Sequence, residues 1–416
     1  MALFRLFIAA IVSCTMVLSG CVTNAPSGPS VGPQFSSLIN KAKRLGAEPY
    51  KSTDPNRPKL DIIIPVFDPG LPKKGESSDA DVVWPELRRA EAVRFANKLK
   101  GALEDTAAFG AVRVTPDQSA TGDLYVLGKI VKSDGEDVEF DMQVFDISGR
   151  QWLHDTVSHT VDPSFHTNIR NNGKDPYDPV FVDAAKQIAE ELSYQETAAL
   201  SDLKRLTDLR FGASLVDAAF SEHLALKDGQ YSLASFPSDS DPMLARTKAV
   251  RVRDQLFVDG LQSHYQLFSD KMDSSYKVWQ EQALIEKEAK RKAENKATGE
   301  TLLGVLAIGL AVAAVAAGAK SNNPNAGSAG VAAGAVGAVV GAKLIGDGFQ
   351  TRKEAEVHRD ALQELGQSMD ADLAPTVVAF EEKTVELTGT GQQQFAQWRN
   401  FLKTIYLQEQ TPNVKL

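Results

Sequence analysis

Residues 302 to 319 read LLGVLAIGLAVAAVAAGA, eighteen consecutive positions without a charge. As a helix the run measures roughly 27 Å at about 1.5 Å per residue, close to the hydrocarbon thickness of a bilayer. A polar stretch, SNNPNAGSAG, follows, and then a second apolar segment, VAAGAVGAVVGAKLIGDGF. Two Gly/Ala-rich segments joined by a turn containing Pro324 predict a helical hairpin over residues 301 to 346. Gly330, Gly334, Gly337 and Gly341 give two GxxxG spacings, at which helix backbones approach closely. Two destinations are open to such a hairpin. Its length and glycine spacing fit insertion into a membrane, with Lys343 snorkelling to the interface. Its alanine content, which gains little from hydrocarbon, fits a tight helix pair buried within the protein or its oligomer. If the hairpin inserts, both arms return to one side, and the flanking domains share a compartment.

The rest of the chain is ordinary in composition. Its 416 residues suffice for two or three domains, and 43% apolar with 24% charged residues is typical of globular protein. A net charge of −9 argues against a nucleic-acid partner, which requires a basic face. The two cysteines are Cys14 and Cys21, so the folded part has no disulfide, no catalytic cysteine and no thiolate-ligated zinc.

The N-terminus is an address. MALFRLFIAAIVSCTMVLSGC has a weak positive start at Arg5 and an apolar run from Leu6 to Val17, which is short for a span. Leu18, Ser19, Gly20 and Cys21 resemble the bacterial lipobox, in which cleavage precedes a cysteine that becomes acylated. The resemblance implies a signal peptide over 1–20, lipid attachment (palmitate among the acyl chains) at Cys21, and a flexible Pro/Gly/Ser-rich tether over 21–57. Val22 stands where an aspartate would mark inner-membrane retention, which implies the outer membrane, facing the periplasm.

From residue 58 to 211 the pattern changes to that of an α/β domain. LDIIIPVFDPG reads as a buried strand, and a helix starts at Pro85 with Leu87, Ala90, Leu99 and Leu103 among its apolar positions. AVRVTP and DLYVLGKIVKSDG are strands. EDVEFDMQVFDISGRQWL alternates cleanly, with Phe140, Met142 and Val144 on one face and Glu139, Asp141 and Gln143 on the other. Another strand lies around Trp152 to Val161. A second helix begins near Pro179, with Val182, Ala185, Ile188, Ala189 and Leu192 as its buried stripe. The layout of IIIPVFDPG, ALEDTAAFGAVRV, DLYVLGKI and VFDISGRQWL resembles the small α/β domain shared by the TolB N-terminal domain, the curli-type secretion lipoprotein and the lipoprotein activators of penicillin-binding proteins. That resemblance covers about a third of the chain. It implies a noncatalytic envelope protein that binds partners or assembles into rings.

Residues 212 to 416 read as helical. Phe257, Leu261, Tyr265, Phe268, Met272, Tyr276 and Trp279 fall on one helical stripe, which predicts packing into a bundle. EKEAKRKAENK (286 to 296) reads as an exposed, solvated face, with a basic collar at a membrane surface as the alternative. After the hairpin, Val357, Ala361, Leu365, Met369 and Leu373 continue a stripe. Pro375 starts another helix, and Phe395, Trp398, Leu402, Ile405 and Tyr406 mark the last one. A long antiparallel, coiled-coil-like pair with an apolar tip is the expected architecture.

Chemistry is sparse. Ser201 and Lys204 match S-x-x-K without its companion elements, and a solvated helix face accounts for them. His154, His159 and His166 do not converge on one strand face as zinc ligands would. SDGEDVEFD (133 to 141) reads as a hairpin turn rather than a calcium loop. No phosphate loop, nucleophile elbow or zinc-protease motif occurs.

The expected fold class is therefore α+β: a small mixed α/β sandwich domain, then a long α-helical hairpin domain with an apolar Gly/Ala-rich tip, glycine-zipper-like in its spacing. The expected function is that of a noncatalytic outer-membrane lipoprotein in envelope assembly or export. It needs no cofactor and no metal, meets the membrane through its lipid and hairpin 301–346, binds an envelope protein and self-associates. Two alternatives are a periplasmic activator or scaffold of a peptidoglycan-synthesising enzyme, and a membrane-perforating protein.

Overall fold

The computed structural model describes residues 57–72, 84–216, 218–297, 360–364, 367, 376–380 and 383–408. Its centre is strand β1 (Ile62–Pro65), four residues that are all buried. β1 pairs in parallel with β2 (Val112–Thr115) on one side and with β3 (Leu124–Ser133) on the other. Parallel neighbours need a crossover, and helix α1 (Pro85–Asp105) supplies it between β1 and β2. From β3 the chain meanders through β4 (Asp137–Asp146) and β5 (Gln151–Thr160), both antiparallel, giving the order β2-β1-β3-β4-β5. Gly135 and Gly149 sit in the two meander turns at φ of 89° and 91°, which glycine adopts without strain.

The alternation read from β4 holds. Phe140, Met142 and Val144 are fully buried, while Glu139, Asp141 and Gln143 are half-buried. Phe140 anchors an aromatic cluster with Phe67 at 5.4 Å, Phe181 at 5.8 Å and Phe95 at 6.5 Å between ring centroids. Such contacts add ~1 kcal/mol each beyond area burial. Phe181 comes from α2 (Asp178–Ser193), whose buried stripe is Val180, Phe181, Ala184, Ala185, Ile188 and Leu192. The expected stripe is rotated: Val182 is 43% exposed. The cause is that α2 packs on both α1 and the β4–β5 pair, which turns Phe181 onto Phe95 and Phe140.

Beyond residue 212 the chain is less purely helical than expected. α3 (Thr197–Leu215) leads to a hairpin of β6 (Leu224–Lys227) and β7 (Gln230–Leu233). Its turn is Asp228-Gly229, with φ of 53° and 78°, the positive pair that a tight two-residue hairpin turn demands. Helix α4 (Pro242–Ala297) then runs for 56 residues. Pro375 precedes a strand and not a helix: β8 (Thr376–Phe380) pairs antiparallel with β9 (Lys383–Leu387). The β-branched TVVAF and KTVEL favour a pleated backbone over a helix. Residues 360–364 are helical, with Leu362 buried. The chain closes with α5 (Gly391–Gln408), which buries Phe395, Trp398, Leu402, Ile405 and Tyr406 as its periodicity predicts.

α5 packs on the N-terminal half of α4. The Trp398 ring stacks on Phe257 at 5.1 Å, its indole N–H donates to Asp254 at 3.1 Å, and Arg399 pairs with the same carboxylate at 3.1 Å. Core residues from the sheet, α1–α5 and Leu362 form one continuous apolar cluster. The molecule is thus a mixed α/β protein with a five-stranded mixed sheet and a very long helix. The hairpin 301–346 and its Gly/Ala tip lie outside the described residues.

Candidate functional site

Several residues singled out in the sequence lie outside the described residues: Leu18, Ser19, Gly20 and Cys21 at the N-terminus, and Gly330, Gly334, Gly337 and Gly341 in the apolar segment. The others are placed. Ser201 and Lys204 do not form a pair. The Ser201 hydroxyl donates to the Thr197 carbonyl at 3.1 Å, and the Lys204 ammonium reaches Asp123 at 3.1 Å and the Lys59 carbonyl at 2.8 Å. His154 contacts Asp141 at 2.9 Å across the exposed strand pair, and His166 packs edge-on against Phe165. Among the described residues no group of three or more His, Cys, Asp or Glu side chains is arranged to hold a metal ion. A cavity of about 520 Å³ where α3, α4 and α5 meet is lined mostly by Val216, Ala218, Ala219 and Met243. Its basic group, Arg246, is stacked 5.0 Å over Tyr406.

The distinctive construction is the seam along which α4 lies on the α/β domain. It begins at the sheet edge. β2 is an outer strand, and its free backbone groups at Val114 are met by the Gln262 side chain. The amide oxygen accepts from Val114 N–H at 2.9 Å, and the amide nitrogen donates to Val114 C=O at 2.9 Å. One side chain thus stands in for a strand and closes the edge. Arg113 beside it pairs with Asp259 at 2.6 Å. The opposite edge, β5, carries an exposed Asp155 opposite Met142, a charge that blunts edge pairing by another route.

Further along, the seam becomes a buried polar network. α1 between Leu87 and Ala96 is buried almost all round, because the sheet covers one side and α4 the other. Of the four charged residues in this stretch, Glu91 and Arg94 are the most buried, at 0% and 1% exposed. A buried charge requires partners. Arg94 donates to Asp175 and Asp273 at 2.7 Å each and to the Ser269 carbonyl at 3.3 Å, and its guanidinium lies 4.8 Å over the Tyr276 ring. Asp175 also accepts from Gln280 at 3.1 Å and pairs with Lys98 at 3.3 Å. One Glu91 oxygen accepts from Ser133 at 2.5 Å and from Tyr276 at 2.7 Å, while Arg88 lies 3.6 Å from the other.

The electrostatics follow from this geometry. Burial pushes the Glu91 carboxyl above its ordinary range, against the pull of Arg88, Ser133, Tyr276 and Arg94. For Asp175 burial pushes the same way, but Arg94, Lys98 and the Tyr177 N–H together win and hold it at about 2. Burial lowers Arg94, yet Asp175 and Asp273 more than restore it. Burial also drives the Tyr276 hydroxyl well above its usual value, with Glu91 adding to the effect, so it stays protonated and able to donate.

The seam ends at the tip of the β3–β4 hairpin, which the sequence marks as a turn. Asp134 there meets Lys287, and Glu136 meets Arg291. Of the charged run 286–296, Glu286 and Arg291 are exposed while Lys287 and Glu288 are half-buried, and Lys287 and Arg291 are engaged by the sheet domain. Arg291 keeps half of its side chain in solvent. From Asp259 to Arg291, α4 is pinned to the domain at intervals along its length.

Among the described residues no helix is long and apolar enough to cross a membrane; the run 302–319 lies outside them. No protein-family model, no curated protein and no solved structure matches this chain.

Proposed function

We propose that the chain is a noncatalytic, lipid-anchored protein of the bacterial outer membrane, facing the periplasm and serving envelope assembly or export. In this reading Cys21 carries the lipid, the α/β domain binds an envelope partner, and the segment 301–346 meets a membrane and promotes self-association. One observation supports it above the others. The helix that leads into the apolar segment is fastened to the α/β domain as far as Arg291, eleven positions before Leu302. While it is seated, this helix sets the position in the chain from which the apolar segment departs, which suits a presenting scaffold.

The test is carbonate extraction of cell membranes, using Cys21→Ala with an ordinary cleavable signal, with and without residues 301 to 346. Retention of the first protein and release of the second is the expected result. Release of both would assign LLGVLAIGLAVAAVAAGA to protein core and leave a tethered binding module.

A further inference from the structure

The two halves of α4 differ in how their buried polar groups are satisfied: Thr247 and Asp254 in the first are bonded to Tyr406, Trp398 and Arg399. Toward its N-terminus the buried positions are Leu244, Thr247, Val250, Asp254, Val258 and Leu261, packed on α3 and α5 with two aromatic anchors at Trp398 and Tyr406. Beyond Gln262 they are Ser269, Met272, Ser275, Tyr276, Gln280 and Leu284. Three of these six are polar, and Tyr276 turns its hydroxyl onto Glu91. The polar seat is also less completely bonded than the first half, where Arg251 Nε is likewise buried without a hydrogen bond. Glu91 Oε2, Arg94 Nε, Ser269 Oγ and Gln280 Oε1 are buried without a hydrogen bond in this structure. A buried polar atom left unbonded costs on the order of 1–3 kcal/mol, so this half gains less from docking than its buried area suggests.

A second observation marks where the two halves meet. Gly260 sits inside the helix on its exposed side, and a Cβ there would meet nothing within 4 Å. Packing does not require glycine at this position. Its effect is to soften the helix by about 1 kcal/mol relative to alanine, beside the Gln262 clasp.

We infer that Ser269–Arg291 is a releasable arm: it seats on the α/β domain through a polar, charge-bearing surface and pivots beside the Gln262 clasp, while α3 and α5 hold the other half fast. Release frees Ser269, Gln280, Glu91 and Arg94 to bond with water, which lowers the cost of opening. Protons act on the seat from opposite sides. Glu91, raised by burial when seated, favours docking at low pH, and that contribution is lost as pH rises through its seated value. Asp175, Asp273 and Asp134 are lowered, so their contributions hold above the ordinary carboxylate range and fade in strong acid. His166 is lowered by burial, with Glu281 opposing, and so favours docking above its ordinary value. Arg88, Arg94, Lys98, Lys132, Glu136, Asp137, Lys277, Lys287, Arg291 and the hydroxyls of Tyr177 and Tyr276 also face the seat.

Hydrogen exchange on the full-length protein tests the arm directly. Amides of 269–291 are expected to exchange with protection at least about tenfold lower than those of 244–262, as a sub-global opening. In Glu91→Gln the protection of 269–291 relative to wild type should rise as pH increases from 5 to 8, because the carboxylate that opposes seating is gone. Gly260→Ala should raise protection of the same segment and leave 244–256 unchanged. Equal protection of the two halves, lost together, would show that α4 docks as one unit and overturn the inference. A pH-independent ratio of Glu91→Gln to wild type would remove the proton dependence.

Discussion

At the scale of single residues, the seam is held by a few buried charges whose value lies in being paired. Arg94→Met should cost about 3–5 kcal/mol in urea unfolding, since it strands the buried Asp175 carboxylate. Adding Asp175→Asn should recover part of that loss, as expected for groups that share one interaction. Asp175 also sets an acid limb. Its carboxyl titrates at about 2 rather than 3.8. Its stabilisation is complete above the unfolded value and is lost as pH falls through the folded one, worth ~2 kcal/mol. Stability measured between pH 5 and pH 2 should therefore fall less steeply in Asp175→Asn than in wild type.

At the scale of elements, the β2 edge depends on a side chain from another part of the chain. Gln262→Ala leaves Val114 N–H and C=O without that amide, and we expect a loss of roughly 1–3 kcal/mol together with faster exchange at the Val114 amide. What the sequence made legible follows the range of the interaction. The alternation of Phe140, Met142 and Val144 and the periodicity of Phe395 to Tyr406 are local, and both were readable. The order of strands and helices from Ile62 to Ser193 was readable for the same reason. Asp228-Gly229 carried a hairpin signal too, but its flanks LALK and QYSL are short and half-exposed, so they lack a clear apolar face. Pro375 was ambiguous, since proline opens strands as well as helices, and the β-branched residues after it decide the matter. The seam was not readable, because Glu91 and Arg94 meet partners on α4 some 180 positions away. A local hint existed nonetheless. From Ala90 to Ala96 the helix is apolar on every side of those two charges, a pattern that requires cover on both faces.

At the scale of the whole molecule, a sheet domain, a helical cap of α3 and α5, and one very long helix share a continuous core, yet the helix reaches past both. Among the described side chains, Lys287 and Arg291 mark its fastening nearest in sequence to the apolar segment. Charge reversal at both, Lys287→Glu with Arg291→Glu, should loosen 280–291 in hydrogen exchange and leave the unfolding midpoint almost unmoved, because partly exposed ion pairs contribute little to stability. If the glycine spacing brings helices together as proposed, Gly334→Leu with Gly337→Leu should lower self-association measured by sedimentation.

The length of α4 has a mechanical consequence. From Gln262 to Ala297 the helix extends about 50 Å at 1.5 Å per residue. A tilt of five degrees at the clasp therefore displaces its far end by about 4–5 Å, close to one turn of helix. An adjustment at the clasp too small to disturb the sheet would then be amplified into a movement the size of a residue. With Ser269–Arg291 released, a short stroke at β2 would become a long one at Ala297.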